Sequence, residues 1–134
     1  MTTQTTSQYL LLFRGTNWHK GLSPEEIQAV MTKFMGWFER LTSEGKAKAG
    51  QPLLPEGKIV SGRNGRVVAD GPFAESKETI GGYFLLQVDD MNEAVAIAQE
   101  CPALGYGLTV EVRPVAAECP VARSVREQLA RAEV

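Results

Sequence analysis

The residues best suited to chemistry surround Asp70, the first residue of the stretch Asp-Gly-Pro-Phe-Ala-Glu-Ser-Lys-Glu. The acid follows a strand-like segment, and Gly71 and Pro72 restrict the chain after it, so we expect the carboxylate to be held in a cleft. A general base in proton transfer needs such a fixed position. The alternative is structural, because aspartate in a turn commonly accepts hydrogen bonds from nearby backbone amides. The sequence leaves both interpretations open.

His19 is the single histidine of the chain, in the loop Gly-Thr-Asn-Trp-His-Lys that spans residues 15–20. An imidazole close to an acid is a natural proton shuttle near neutral pH. We therefore name Asp70 and His19 as the candidate catalytic residues. The sequence does not set the distance between them, and a loop histidine is more often only solvated.

Five further side chains are candidates for binding a small substrate: Arg14, Trp18, Phe73, Ser76 and Lys77. Arg14 leaves the first strand and could clamp a carboxylate or phosphate, although an ion pair with a glutamate is the simpler expectation. Trp18 and Phe73 could form an aromatic wall for a ligand or act as packing anchors. Ser76 and Lys77 could meet a small anion or lie on a solvated charged turn.

Several kinds of site lack the residues that they require. One histidine and two cysteines, Cys101 and Cys119, do not make a recognisable zinc set, and one histidine allows no confident Ser-His-Asp triad. The chain has no Gly-x-Gly-x-x-Gly motif opening a helix and no phosphate-binding loop. We expect neither a metal nor a cofactor.

Composition narrows the classes of partner. The 134 residues carry 14 Lys and Arg against 16 Asp and Glu, for a net charge of −2, whereas nucleic-acid binders normally present a basic face. The first residues lack the pattern of a secretory signal, and no run approaches the roughly 20 apolar residues that span a bilayer. We expect a cytoplasmic protein without nucleic-acid or membrane partners, whose cysteines stay reduced.

Hydrophobic patterns predict the elements that must position these residues. Residues 8–14 are apolar on both alternating faces, as in a buried strand. Ser23, Pro24 and Glu26 predict a capped helix start, and a helix ending near Gly45 follows. Its predicted apolar stripe, widened by Val30 and Trp37, consists of Ile27, Met31, Phe34, Phe38 and Leu41.

The chain after the first helix contains further predicted strands and helices. Residues 46–54 predict an irregular strand between prolines, and Asn64-Gly65 predicts a hairpin turn between residues 58–60 and 66–68. Residues 82–88 form a further predicted strand, Asp90 and Glu93 cap a second helix, and residues 108–114 alternate as a last strand. Residues 116–134 carry Val121, Val125 and Leu129 at helical spacing, which predicts an amphipathic tail.

The predicted fold class is α+β, a ferredoxin-like βαββαβ unit with an added β-hairpin and a C-terminal helical tail. We predict one domain over 1–134, with its core at about 8–115 and the extension at 116–134. Right-handed crossovers place both helices on one face of the sheet, although the strands are apolar on both faces. An identical sheet from a second chain is the simplest cover, so we predict a homodimer that pairs through its sheet faces.

The Asp-Gly-Pro-Phe stretch that begins at Asp70 resembles the signature of the YCII-related, or DGPF-domain, family. The resemblance implies a dimeric α+β barrel and a cleft near the acid of the motif, and it covers residues from about 9 to 115. Members typically carry the histidine of an Asp-His dyad inside the first helix. Our alignment places Phe34 or a neighbour there, so the dyad is either lost here or rebuilt with His19.

Two classes of function fit these observations. In the first, the protein is a cofactor-independent enzyme in which Asp70 transfers a proton on a small metabolite, while Arg14, His19 or Lys77 steadies negative charge. In the second, it is a non-catalytic module that senses a ligand or contacts another protein. The resemblance implies a connection with transcription control, because members of the family are sometimes joined to sigma factors.

Overall fold

The computed structural model describes residues 7–71 and 79–132. Two short 3-10 turns, Arg63–Gly65 and Leu104–Tyr106, accompany the helices and strands. The helices and strands, in chain order, are β1 (Ser7–Arg14), α1 (Pro24–Ser43), β2 (Ala47–Pro52), β3 (Lys58–Ser61), β4 (Val67–Asp70), β5 (Ile80–Val88), α2 (Met91–Ala98), β6 (Thr109–Pro114) and α3 (Pro120–Ala132).

Four of the strands form one antiparallel sheet in the order β2-β5-β1-β6, and β3 and β4 form a separate two-stranded sheet. With α1 between β1 and β2, and α2 between β5 and β6, this is the ferredoxin-like order with an inserted hairpin. The predicted α+β fold class is confirmed. β1 and β5 lie in the centre of the sheet, where each pairs with a strand on both edges.

One face of the sheet carries the core. Tyr9, Leu11 and Phe13 alternate along β1 and are buried, as are Phe84 and Leu86 on β5. They form a single cluster with buried side chains of both helices, among them Val30, Trp37, Leu41, Ala94 and Ile97. Both helices therefore cover the same face, as the predicted crossovers require.

The start of α1 is the one that the sequence predicts. The Ser23 hydroxyl accepts a hydrogen bond from the Glu26 amide, and the Glu26 carboxylate accepts one from the Ser23 amide, with Pro24 in the first turn. This reciprocal pair satisfies two amides that the helix itself leaves without partners. The predicted capping of α2 by Asp90 is also confirmed, since Asp90 accepts from the Glu93 amide.

The predicted apolar stripe of α1 is wrong in its centre. The buried residues are Val30, Trp37 and Leu41, whereas Met31 is 41% exposed. Phe34 and Phe38 lie at the edge of the buried stripe and are half-buried. The helix is apolar around much of its circumference, so periodicity did not define its rotation, and packing against the sheet did.

An aromatic cluster joins α1 to the sheet around Phe84. Its ring centroid lies 4.8 Å from that of Phe13, 5.1 Å from Trp37 and 4.6 Å from Phe38. The buried Trp37 indole donates a hydrogen bond to Glu100, just beyond α2, at 3.1 Å. The same rings thus fasten α1 to both the sheet and the second helical segment.

On the opposite face of the sheet, which we call the open face, no helix of the described ranges packs. Its centre consists of Leu10 and Leu12 on β1, which pair with Leu85 and Tyr83 on β5. All four are only half-buried, although most are apolar. At the β6 side, Glu111 lies opposite Leu12. An apolar sheet centre without a second layer is the feature from which we predict a homodimer.

The hairpin of β3 and β4, which we call the arm, is the one predicted around Asn64-Gly65. Five residues from Gly62 to Arg66 join its strands. Asn64 (φ 62°) and Gly65 (φ 67°) adopt the positive φ angles that the Asn-Gly pair predicts. Gly62 (φ 84°) adds a third such residue, which a glycine accommodates without steric cost.

α3 confirms the predicted amphipathic tail but lies apart from the core. Its stripe of Val121, Val125 and Leu129 is 70%, 47% and 61% exposed, respectively. A bidentate ion pair between Arg126 and Glu118, with N–O distances of 2.8 Å and 3.0 Å, connects the helix to the residues before it. Within residues 7–71 and 79–132, no helix has the length and apolar character that a membrane crossing requires.

Candidate functional site

The candidate site lies at the end of the main sheet where β1 and β2 finish and β5 and β6 begin. Arg14, the last residue of β1, pairs with Ile80 on β5 and with Thr109 on β6. Just beyond, the Gly15 amide donates a hydrogen bond to the Thr79 carbonyl at 3.1 Å. These contacts bring the start of the loop that follows β1 against the first residues of β5.

A cleft of about 460 Å³ opens at this sheet end, next to the β2–β5 pair. Its walls are mainly apolar, with a threonine and a glutamate as the polar members. The lining residues are Pro52, Leu53, Leu54, Pro55, Glu56, Thr79 and Ile80. The volume falls within the range of small-molecule sites.

Glu56 is the charged group of this cleft. Its side chain has no hydrogen bond or ion pair with any residue in the described ranges, whereas Thr79, which also lines the cleft, is buried and has a partner. An unpaired carboxylate next to apolar walls favours a ligand that brings a positive charge or strong hydrogen-bond donors. Glu56 and the lining residues Leu53 and Leu54 are themselves exposed, so the cleft is open to solvent.

Asp70 is the last residue of β4 and lies at the base of the arm. Its side chain is 85% exposed and forms an ion pair with Lys58, its cross-strand partner. Next to it, the Gly71 amide donates to the Gly57 carbonyl at 3.1 Å. Within the described part of the chain the carboxylate is not enclosed by a cleft, and its role as a base stays a prediction.

His19 and Trp18 lie in the loop between β1 and α1, on the other side of the sheet end. The two rings are perpendicular at 5.5 Å, and Trp18 also lies 6.3 Å from the ring of Tyr106. Trp18 packs against the core, whereas His19 is exposed. No hydrogen bond or ion pair between the described residues joins His19 to Asp70, so the proposed catalytic pair is not assembled within this part of one chain.

Arg14 takes the simpler of its two predicted roles. Its guanidinium forms an ion pair with Glu111 at 3.1 Å, and Arg113 reaches the other oxygen of the same carboxylate at 3.3 Å. Both Arg14 and Glu111 are about one-third exposed. This pair lies on the open face, where it borders the apolar centre.

Three predicted binding residues, Phe73, Ser76 and Lys77, lie outside the described residues. The chain re-enters the described region at Thr79, whose carbonyl holds Gly15. The stretch that begins at Asp70 therefore starts at the base of the arm and leads back to the wall of the cleft. Their predicted role in binding stays a prediction.

At the position where the resemblance expects a histidine in the first helix, the chain has a packed aromatic residue. Phe34 lies edge-on to Phe13 at 5.2 Å and to Trp37 at 5.4 Å, and its ring is 5.8 Å from Phe84. This part of α1 is a hydrophobic anchor, with no titratable group among these contacts. A dyad built from α1 has no counterpart in this chain.

The two thiols differ sharply in their surroundings. Cys101 is buried and burial raises the pKa of its thiol, whereas Cys119 is exposed just before α3, where hydrogen bonds from the Ala122 and Val121 amides lower its pKa. Amides at a helix start stabilise the thiolate, which is the reacting form. Among the described residues, no group of three or more His, Cys, Asp or Glu could hold a metal ion.

We therefore expect Cys119 to react with a disulfide reagent such as 5,5′-dithiobis(2-nitrobenzoate) at least about tenfold faster than Cys101 at pH 7. Because the pKa of Cys119 is lowered, its rate should level off at a lower pH than that of a free cysteine. Absorbance of the released thiol measures both rates. Cys119→Ser should remove only the fast phase, and a fast phase that persists in this variant would contradict the assignment.

Residue patterns in the sequence identify Asp70 as a candidate acid, but they do not identify the residues that line the cleft. Leu53 and Leu54 fall at the end of the irregular strand predicted for residues 46–54, and Glu56, Thr79 and Ile80 lie outside every predicted element. The available signal was Pro52, the last residue of β2, followed by Pro55, because proline donates no ladder hydrogen bond and is typical of positions where a strand ends. That signal indicates a loop but not a binding site.

Comparison with known proteins supplies the family. The model of the YCII-related domain matches residues 8–122. An uncharacterized protein of Rhizobium meliloti is 31% identical over 101 residues, which cover 70% of this chain and 79% of that protein.

Two solved structures share features of the fold at low identity. One is 5-chloro-2-hydroxyhydroquinone dehydrochlorinase from Burkholderia phenoliruptrix in complex with 2,5-dihydroxybenzoquinone, with a TM-score of 0.46, 16% identity, and coverage of 83% of this chain and 95% of that one. The other is a dimeric ferredoxin-like protein of unknown function from Bacteroides fragilis, with a TM-score of 0.36, 13% identity, and coverage of 85% and 100%. At such scores, the ligand and the dimer are properties of those proteins.

The family match spans most of the chain and agrees with the Asp-Gly-Pro-Phe stretch at Asp70 and with the sheet order. The chain belongs to the YCII-related domain family.

Proposed function

We propose that this protein is a homodimeric, non-catalytic ligand-binding domain, whose cleft takes a small, mainly apolar molecule bearing an amine. The observation that carries the proposal is the combination of apolar cleft walls with the Glu56 carboxylate, which pairs with no group in the part of the chain that the structure describes. Apolar walls supply affinity through burial, and one charged group supplies orientation. Arg14 is engaged by Glu111, so an anionic ligand has less to gain here.

Binding is favoured over catalysis by the surroundings of the candidate base. A catalytic carboxylate is usually shielded from water, whereas Asp70 is 85% exposed and paired with Lys58. Phe34 stands near the position in α1 where the resemblance expects a histidine, and it packs against aromatic rings. α1 therefore supplies no histidine to complete a dyad. A module that binds and reports a ligand needs neither group to be reactive.

The homodimer is part of the proposal, with the open faces of two sheets packed against each other. Leu10, Leu12, Tyr83 and Leu85 supply an apolar centre, and Arg14, Glu111 and Arg113 a charged border. A patch with both properties suits a self-complementary interface. We place the protein in the cytoplasm, where a reducing environment suits the two free thiols, Cys101 and Cys119.

A cofactor-independent proton-transfer enzyme is the second candidate. It is supported by the position of Asp70, which is one residue before Gly71 and therefore close in the arm to Gly57 and the cleft residue Glu56. In this candidate Asp70 and His19 would act on the bound molecule. Asp70→Asn should then abolish turnover and leave ligand affinity nearly unchanged.

The test is a pair of NMR titrations of the 15N-labelled protein with benzylamine and benzoate, which have similar size and opposite charge. We expect benzylamine to shift the amides of Thr79 and Ile80 at millimolar concentration, with at least about tenfold higher affinity than benzoate. Glu56→Gln keeps the shape of the side chain and should remove most of this preference.

Two controls sharpen the result. Glu39→Gln removes an exposed carboxylate on α1 and should leave the titration unchanged. Benzoate that binds as well as benzylamine, or a preference that survives Glu56→Gln, would refute the proposed ligand class. Shifts confined to residues outside the cleft would refute the cleft itself.

A further inference from the structure

We propose that the arm of each subunit docks on its partner in the homodimer, so that the cleft at the base of the arm is completed only when two copies meet. This inference rests on the proposed dimer. The docked arm would form a second contact between the subunits, in addition to the contact between the open faces. The partner would then help to shape the binding site.

The arm has apolar residues on both of its faces, and within residues 7–71 and 79–132 no other element covers either face. In its register, Val60 pairs with Val68, and Ile59 pairs with Ala69 on the opposite face. Every residue of the two strands is exposed. The exposed fraction is between 49% and 61% for the large apolar side chains Ile59, Val60, Val67 and Val68. Large apolar side chains on both faces are typical of a hairpin that is covered on both sides.

A lone hairpin in water is at best marginally stable, because two strands alone bury too little surface. This arm holds itself together by its ladder, the Lys58–Asp70 ion pair and the Gly71–Gly57 hydrogen bond. An exposed ion pair contributes only up to about 1 kcal/mol. The conformation of the arm is therefore best explained by an external cover.

The total surface of the chain is larger than that of a compact monomer. A compact folded monomer of 14.6 kDa is expected to expose about 6,900 Å². This chain exposes 9624 Å², which is about 2,700 Å² more than that scaling gives. The value covers every residue of the chain, and the exposed helix α3 contributes to it as well as the arm and the open face, so the difference is an upper bound on the surface that a partner covers.

A second copy is the occupant because the arm is continuous with the open face. The arm leaves the sheet from the end of β2 and returns to the start of β5, and β5 carries Tyr83 and Leu85 on the open face. A subunit seated on that face therefore lies beside the base of the arm. The same subunit can bury the apolar side chains of the arm without requiring a different protein.

Docking of the arm would also shape the cleft. Leu53, Leu54 and Glu56 connect β2 to β3, so they lie between the sheet and the arm. Once the arm is held by the partner, these cleft walls are held as well. Ligand binding and dimerisation are then thermodynamically linked, and a cleft ligand should tighten the dimer.

The test compares Val60→Lys/Val68→Lys with wild type by sedimentation equilibrium over a dilution series. We expect the arm variant to raise the dimer dissociation constant by about 100-fold, because two apolar contacts are replaced by charges at the interface. The matched control is Met31→Lys/Met35→Lys, which adds the same charges to exposed apolar positions of α1. The control should stay within about threefold of wild type.

A second measurement keeps the test informative if the arm variant folds poorly. In wild-type protein, backbone amides of residues 58–61 and 67–70 should exchange with solvent at least about tenfold more slowly above the dimer dissociation constant than below it. Circular dichroism checks that the monomer stays folded on dilution.

The outcomes separate the two proposals. If wild type dimerises but the arm variant matches the control and arm protection does not change on dilution, the arm proposal is overturned and the dimer stands. If wild type is a folded monomer at high micromolar concentration, both the dimer and the docked arm are wrong. Amine binding to Glu56 is tested separately by the titrations.

Discussion

Leu12→Lys is expected to convert the protein from a dimer into a folded monomer at micromolar concentration. Leu12 lies at the centre of the open face, between Tyr83 on β5 and Glu111 on β6. A lysine there must lose its hydration when two sheets pack together, which costs several kcal/mol. The helix-side core does not contain Leu12, so the fold of each subunit should survive. Sedimentation equilibrium should show a dissociation constant raised about 1,000-fold.

Val95→Lys provides the matched control, because Val95 is an apolar residue of α2 that is 37% exposed. It introduces the same charge on the helical side of the molecule and should leave the dimer intact. Circular dichroism confirms that both variants remain folded. Leu12→Lys protein that dimerises as tightly as wild type would rule out the open face as the interface.

Phe84→Ala is expected to have the largest effect on stability, lowering the free energy of unfolding by about 3–5 kcal/mol. Phe84 is 6% exposed, and rings from β1 and α1 surround it at centroid distances of 4.6–5.8 Å. Removal of its ring leaves a cavity beneath α1 that rigid aromatic neighbours cannot readily fill. Urea unfolding followed by circular dichroism measures the change.

Tyr106→Ala is the control for the loss of an aromatic ring. Tyr106 is 45% exposed, and its ring lies 6.3 Å from that of Trp18, so its removal should cost less than about 1 kcal/mol. Protein concentration must be the same in all samples, because dimerisation adds to apparent stability. Equal losses for the two variants would mean that the cluster around Phe84 is not the main anchor of α1.

Short sequence patterns predicted the elements correctly where the stabilising interactions join residues that are close in the chain. The capping box at Ser23 and Glu26 and the Asp90 cap involve residues three apart, and the structure confirms both. The positive φ angles of Asn64 and Gly65 are a property of those residues, and they too are confirmed. The order of elements then left few possible sheets, and the ferredoxin-like order is confirmed.

Local signals failed where several arrangements satisfy the same pattern. The stripe of α1 was centred one residue away, because Val30 and Met31 both belong to apolar sets with helical spacing. The sheet and the ring of Phe84 selected Val30 and Trp37. The residues that line the cleft were missed for a related reason, since Leu53 and Ile80 meet only after β2 and β5 pair.

The sequence by itself determined the family, the capped helices, the two-faced central strands and the acid that ends β4. Each of these depends on residue types at short spacing. Only the tertiary structure decided that Asp70 lies exposed against Lys58, that Arg14 is taken by Glu111 and that Glu56 stands unpaired among the described residues. Those outcomes depend on strand register and on contacts up to 97 residues apart in the chain, which no local pattern encodes.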